Sequence, residues 1–200
     1  MNKLRASYSL LELWKSGNWE RAVKYYFKLE DFVTPAMADG RRFHEQWDKH
    51  ISQFKTLPPE FGGKKLINPF PEVKKVVQIN EWLELVGKID CVDAPTIYEF
   101  KTGKQTSEAY ASSKQTGVYA YLATIAGIFV DRAEIYHYDQ YDKKFDMSFV
   151  WLTDKILEEA EDYVVTLAAE IHTYFQDNNL YERFGANLKK KTLDIENGSI

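Results

Sequence analysis

The feature that most constrains this sequence is a pair of strand-like halves, Gly87-Lys88-Ile89-Asp90 and Ile97-Tyr98-Glu99-Phe100-Lys101-Thr102-Gly103. The connection between them, Cys91 to Thr96 with Pro95 inside it, is short enough to fold the halves back as an antiparallel hairpin. Side chains alternate along a strand, so Glu99 and Lys101 share one face while Phe100 points the other way into an apolar layer. Asp90, at the end of the neighbouring strand, joins them. Two acids beside a lysine suit a hard divalent cation and keep a positive group for a phosphate.

Two flanking motifs stand in order around the hairpin. Upstream is Gly40-Arg41-Arg42-Phe43-His44, and downstream is Gln115-Thr116-Gly117-Val118-Tyr119. With Ser7-Tyr8-Ser9 near the start, and with Asp90 followed by Glu99-Phe100-Lys101, the sequence resembles the PD-(D/E)XK nuclease superfamily in its RecB-like, lambda-exonuclease-like branch. The matching motifs span roughly residues 7 to 121. Aspartate followed by Glu-x-Lys is weak alone; the ordered set is far more specific. The resemblance implies an α/β fold, a central mixed sheet of about five strands flanked by helices around a restriction-endonuclease-like core. It implies His44, Asp90, Glu99 and the carbonyl of Phe100 as ligands of Mg²⁺ or Mn²⁺, with His44 tilting the preference toward Mn²⁺ because imidazole is softer. Catalytic roles fall by resemblance on Asp90, Glu99, Lys101, Gln115 and Tyr119. The implied activity is phosphodiester hydrolysis in DNA, by an exonuclease of repair, recombination or phage DNA processing. The alternatives are RNA-directed or structure-specific endonuclease action, and a catalytically silent nucleic-acid-binding module.

Each motif also has a plainer reading. Gln115 and Tyr119, four apart on one helix face, serve equally as a strand-end cap and a core tyrosine. A lone histidine is usually structural or exposed, and His50, His137 and His172 are read so for want of company. Glycine inside a helix costs ~1 kcal/mol relative to alanine, so Gly40 signals a close approach by another backbone or a substrate.

Two hundred residues, 44% hydrophobic and 15% aromatic, are enough for one domain with a full core. The net charge of −4 is awkward for a nucleic-acid enzyme, since phosphate contacts call for Lys and Arg. Local clusters offer them: Arg41 and Arg42, Lys64 and Lys65, and Lys104 are the candidate nucleic-acid contacts. Taken singly, any such pair is ordinary solvated surface. Cys91 is the sole cysteine, so the four-cysteine iron–sulfur cluster of many RecB-like relatives is not expected. No apolar run approaches the ~20 residues that span a bilayer, and the Met-Asn-Lys-Leu-Arg start lacks a signal-peptide core. A cytoplasmic location is expected, with DNA as partner, no membrane, and either a homo-oligomer or a larger repair or recombination complex.

Along the chain, residues 6–29 read as one or two helices broken at Gly17-Asn18, with Ser7 and Ser9 as capping hydroxyls. Thr34-Pro35 starts a helix to about Lys55 that buries Phe43, Trp47, Ile51 and Phe54. Residues 56–71 are a proline- and glycine-rich loop. Strands are expected at 72–80, 82–90, 96–101, 133–139 and 145–152, with a helix at about 107–128 whose composition Gly117 interrupts. The whole is expected as a single domain over 1–200: N-terminal helices 6–29, core 34–152, C-terminal helix 153–177 and polar tail 178–200.

Overall fold

The structure, a computed structural model, describes residues 2–30, 34–103 and 105–196. They form two compact units, one of Met1–Phe32, Gln78–Leu85 and Tyr163–Ile200, the other of Val33–Val77 and Val86–Asp162. Six strands make one mixed sheet: β1 (Leu4–Ser7), β2 (Phe70–Gln78), β3 (Leu83–Asp93), β4 (Thr96–Thr102), β5 (Arg132–Asp139) and β6 (Lys144–Trp151). The order is β1-β3-β4-β5-β6, with β2 also paired to β3.

The first unit is aromatic. α1 (Tyr8–Lys15) begins at Ser7, whose hydroxyl accepts the Leu10 N–H at 3.4 Å, so that serine is a cap. α2 (Trp19–Tyr26) follows, and the second part of α6 (Asp154–Asp177) and α7 (Leu180–Glu196) complete the unit. Tyr26, Phe27, Phe175 and Tyr181 meet in tilted and edge-on contacts at 4.9–6.4 Å between centroids. The expected polar tail is therefore helix over most of its length, because Leu180, Tyr181 and Phe184 supply an apolar face among its charges.

The second unit is built on β4. This strand pairs antiparallel with β3 and parallel with β5 from Thr96↔Arg132 to Thr102↔Tyr138. α4 (Ser107–Ala111) and α5 (Lys114–Ile125) lie in the crossover between β4 and β5, as parallel strands require. α3 (Pro35–Phe54) starts on Thr34, whose hydroxyl accepts the Met37 N–H at 3.2 Å. One core layer holds Trp47, Ile51, Leu57, Phe61, Leu66, Cys91, Tyr98, Phe100 and Tyr136; the other holds Ile89, Val92, Ile97, Ala120, Ala123, Val130, Ala133 and Ile135. Gly117 admits Ile156 and Ala160 of α6 to within 3.4 Å of where a methyl group would stand.

Several boundaries depart from the sequence reading. β1 is a sixth strand, tied through the Leu4 N–H to the Trp82 carbonyl at 2.8 Å. β3 runs on through Cys91 to Asp93, so only Ala94 and Pro95 form the turn. Cys91 pairs with Tyr98 and Val92 with Ile97, and burying these apolar residues extends the ladder. The helix expected at 107–128 breaks at Ser112-Ser113 rather than at Gly117; the Ser112 hydroxyl donates to the Ala109 carbonyl, a bond that competes with helix continuation. Phe54, expected in the core, is 56% exposed at the C-terminal end of its helix.

Candidate active site

Phe100 lies in the first core layer, stacked on Phe61 at 5.4 Å and edge-on to Trp47 at 5.7 Å. Alternation along β4 therefore turns Glu99 and Lys101 to the opposite face. There the Lys101 ammonium lies 2.5 Å from Glu99 Oε1 and donates to Gln115 Oε1 at 2.9 Å, while Gln115 Nε2 donates to Glu99 Oε1 at 3.0 Å. Gln115 thus aims both charged groups. Gly87 allows this approach of α5 to β3: a methyl group there would stand 2.7 Å from a Leu122 methyl and 3.3 Å from the Tyr119 ring.

Asp90 joins from β3. One carboxylate oxygen accepts the Phe100 N–H at 2.9 Å, and the other lies 3.2 Å from His44 Nδ1. α3 brings His44 close because Gly40, one turn earlier, presents no side chain to Thr102, whose hydroxyl would lie 3.3 Å from a methyl group there. The near neighbour at that glycine is thus the Thr102 side chain, where the sequence led us to expect another backbone or a substrate.

The electrostatics single out Glu99. Burial first, then the neighbouring Asp90 charge, pushes its carboxyl up to about 7 despite Lys101. Burial also opposes charge on Asp90, but His44, Lys101 and the Phe100 amide hold that carboxyl below the usual range. Burial disfavours the Lys101 ammonium, yet Glu99 and Asp90 outweigh it and raise its pKa further, so it stays protonated. His44 is likewise raised, Asp90 overcoming desolvation. Among the described residues, buried Glu99 Oε2 finds no hydrogen-bond partner. An orphaned anionic oxygen is costly, and it is the donor a hard cation seeks.

The sequence reading passed over a second group beside this one. Asp48, one turn after His44, has a carboxyl that burial and the charges of Glu72 and Asp90 push up to about 7. Glu72 of β2, at φ 52°, accepts from Lys88 at 2.6 Å. The i, i+4 spacing from His44 was the only local signal for Asp48; Glu72 gave none, because strand pairing alone brings it there.

The remaining candidates divide. Tyr119 packs against Gly87 and the second core layer. Arg41 and Arg42 are exposed on α3, Arg42 ion-paired to Asp39 at 3.2 Å. Lys65 is exposed, its backbone bridged to Thr56. Lys64 donates to both carboxylate oxygens of Glu134 at 2.9 Å, so its charge is already neutralised within the protein. Lys104 lies outside the described residues. Among the described residues, no three His, Cys, Asp or Glu side chains are gathered so as to hold a metal ion, and His44, Asp90 and Glu99 are no exception. Carboxylate oxygens such as those of Asp90 and Glu99 are hard donors, of the kind taken by a cation that keeps several waters.

The sequence model of the PD-(D/E)XK nuclease superfamily matches residues 2–186. No curated protein sequence matches the chain. A similar solved structure is that of a protein described as an exonuclease from Eubacterium rectale, at 15% identity over 84% of this chain and 79% of that one, with a TM-score of 0.56. An alkaline exonuclease from Laribacter hongkongensis is similar at 12% identity over 92% and 94%, TM-score 0.50. A phage-related exonuclease from Haemophilus somnus follows at 11% over 81% and 82%, TM-score 0.51. At such identities the likeness is one of fold.

Proposed function

The chain belongs to the PD-(D/E)XK nuclease superfamily, and from that premise we propose that it is a metal-dependent DNA exonuclease that hydrolyses phosphodiester bonds. The observation that carries this reading is the buried Glu99 Oε2 beside Asp90, unpartnered among the described residues, with Lys101 and Gln115 converging on the other oxygen of Glu99. Asp90, Glu99 and the Phe100 carbonyl are the residues that would hold Mg²⁺ or Mn²⁺, and His44, which now bonds Asp90, would be a further ligand. Such a cation, when bound, acidifies a water and offsets charge on the phosphate.

The side chains have separable tasks in this proposal. Lys101, held protonated by its two acids, acts as a charge stabiliser and positioner rather than as a base. Gln115 keeps the ammonium and Glu99 in register, and Tyr119 sets the distance of α5 from β3. Arg41, Arg42, Lys65 and Lys104 are the proposed backbone contacts to DNA. The solved complex of the Laribacter enzyme with dAMP supports a deoxynucleotide product here. A role in repair, recombination or phage DNA processing, in the cytoplasm, is the biological form of the same proposal; no described helix is long and apolar enough to cross a membrane.

The test is a pair of assays on Lys101→Ala: DNA affinity in Ca²⁺ and cleavage of end-labelled linear, circular and single-stranded DNA and of RNA in Mn²⁺. Affinity stays near wild type and cleavage falls by a factor on the order of 10² to 10⁴. Lost affinity with an unchanged rate per bound complex removes Lys101 from the chemistry.

A further inference from the structure

Strand β6 ends the sheet, and its sequence is odd for that place. Its exposed positions are Phe145, Met147, Phe149 and Trp151, each about half exposed (47, 47, 55 and 57%). They alternate along one strand and so form a single apolar row, with Phe149 and Trp151 edge-on at 5.9 Å. The other row is held by hydrogen bonds: Asp146, its side chain still 45% exposed, bonds His137 at 2.7 Å and the Ser107 N–H at 2.6 Å, and Ser148 shares a hydrogen bond with the Ser107 hydroxyl at 2.8 Å.

Edge strands usually carry a device against pairing, such as a proline, a bulge or an outward charge. β6 has no proline, its register with β5 is unbroken from Arg132↔Trp151 to Asp139↔Lys144, and no charge interrupts the apolar row. We propose that β6 is a self-association edge, pairing antiparallel with β6 of a second copy of this chain about a two-fold axis at Ser148.

The register follows from symmetry. A two-fold axis normal to the sheet keeps the apolar rows of both copies on one side, so directly opposed residues must come from the same row. With the axis at Ser148, Phe145 faces the partner's Trp151 and Met147 faces the partner's Phe149. All four apolar residues of each copy are then paired with apolar residues. Moving the axis to Met147 instead sets Trp151 against the partner's Lys143, beyond the strand. An aromatic side chain buries 150–250 Å², so half of each gives roughly 400 Å² per copy, about 800 Å² in total before the strand backbones are added. That lies below the ~1,200 Å² of a stable specific complex, which makes the dimer weak and concentration-dependent.

The experiment is sedimentation velocity on the full chain across the micromolar range, with Phe149→Lys and Met147→Lys checked for folding by circular dichroism. Wild type shifts from monomer to dimer, and each lysine variant weakens association by about 100-fold or more. Independently, Ser148→Cys is trapped as a covalent dimer on mild oxidation, since opposed residues in antiparallel strands lie within disulfide reach. Phe145→Cys is not trapped, because its two copies would stand roughly 20 Å apart. A monomer at every concentration overturns the proposal. So does a dimer that survives Phe149→Lys or that Ser148→Cys fails to trap, either of which would place the contact on another surface.

Discussion

Two lysine–glutamate pairs lie on opposite faces of the same sheet and differ in how the carboxylate is surrounded. Lys101 meets Glu99 on one face, with the Tyr110 ring 5.5 Å from the ammonium; Lys64 meets Glu134 on the other, with the Tyr98 ring at 5.3 Å. Both glutamates are buried. Glu134, however, has both oxygens satisfied, by Lys64 and by the Tyr136 hydroxyl at 3.0 Å. Glu99 keeps one oxygen without a partner among the described residues and has a second acid beside it. A buried ion pair by itself therefore says little about chemistry; the unsatisfied acceptor under like-charge repulsion is what supports the site proposed on the Glu99 face.

The comparison breaks most sharply on removal of a carboxylate. Asp90→Ala abolishes Mn²⁺ binding and cleavage in a protein that still folds, measured by calorimetry and circular dichroism; an intact metal affinity in the folded variant removes Asp90 from the site. Glu134→Gln, the matched change on the other face, leaves cleavage within about twofold and instead lowers stability by about 1–3 kcal/mol, the usual result of disturbing a satisfied buried charge network. His44→Ala weakens Mn²⁺ binding less than Asp90→Ala, since a neutral ligand holds a hard cation less strongly than an anion.

Acidity sharpens the contrast. With the Glu99 carboxyl at about 7, a cation must displace a proton below that pH. Mn²⁺ affinity accordingly falls as pH drops from roughly 7 to 5.5, by up to about tenfold per pH unit for the Glu99 proton and more steeply where the raised His44 must lose its proton as well; affinity independent of pH over that window contradicts the assignment. The smallest effect is on stability in EDTA. Because the folded state holds the Glu99 proton more tightly than an unfolded glutamate does, the wild type loses stability as pH rises from the ordinary glutamate range to about 7. Glu99→Gln escapes that loss, so its melting temperature exceeds wild type at pH 8 and the gap closes as pH falls; a variant that melts lower at pH 8 refutes the sign.

What the sequence disclosed tracks how local each signal is. Glu99 and Lys101 are two residues apart on a strand, and Gln115 and Tyr119 are four apart on a helix, so period alone puts each pair on one face. The order of motifs supplied the rest of the unit that carries them. β1 was illegible because four residues leading straight into a helix give too short an alternation to separate from it. Glu72 was illegible for a different reason: its place beside Lys88 and Asp48 depends on how β2 lies against β3, and no spacing along the chain encodes that. Lys64 misled because a loop lysine looks the same on paper whether it faces solvent or a buried glutamate.

Gly87 has a further consequence when α5 is regarded as a rigid rod. The rod touches β3 through Tyr119 and Leu122, and Gln115 sits seven residues along from Leu122, roughly 10 Å away. A single methyl group at position 87 would act as a shim under one end of the rod and tilt the other, moving the amide that spaces Lys101 from Glu99. The aim of the ammonium is thus gauged by an absent side chain on the neighbouring strand, and Gly87→Ala would detune cleavage while leaving every polar residue of the site in place.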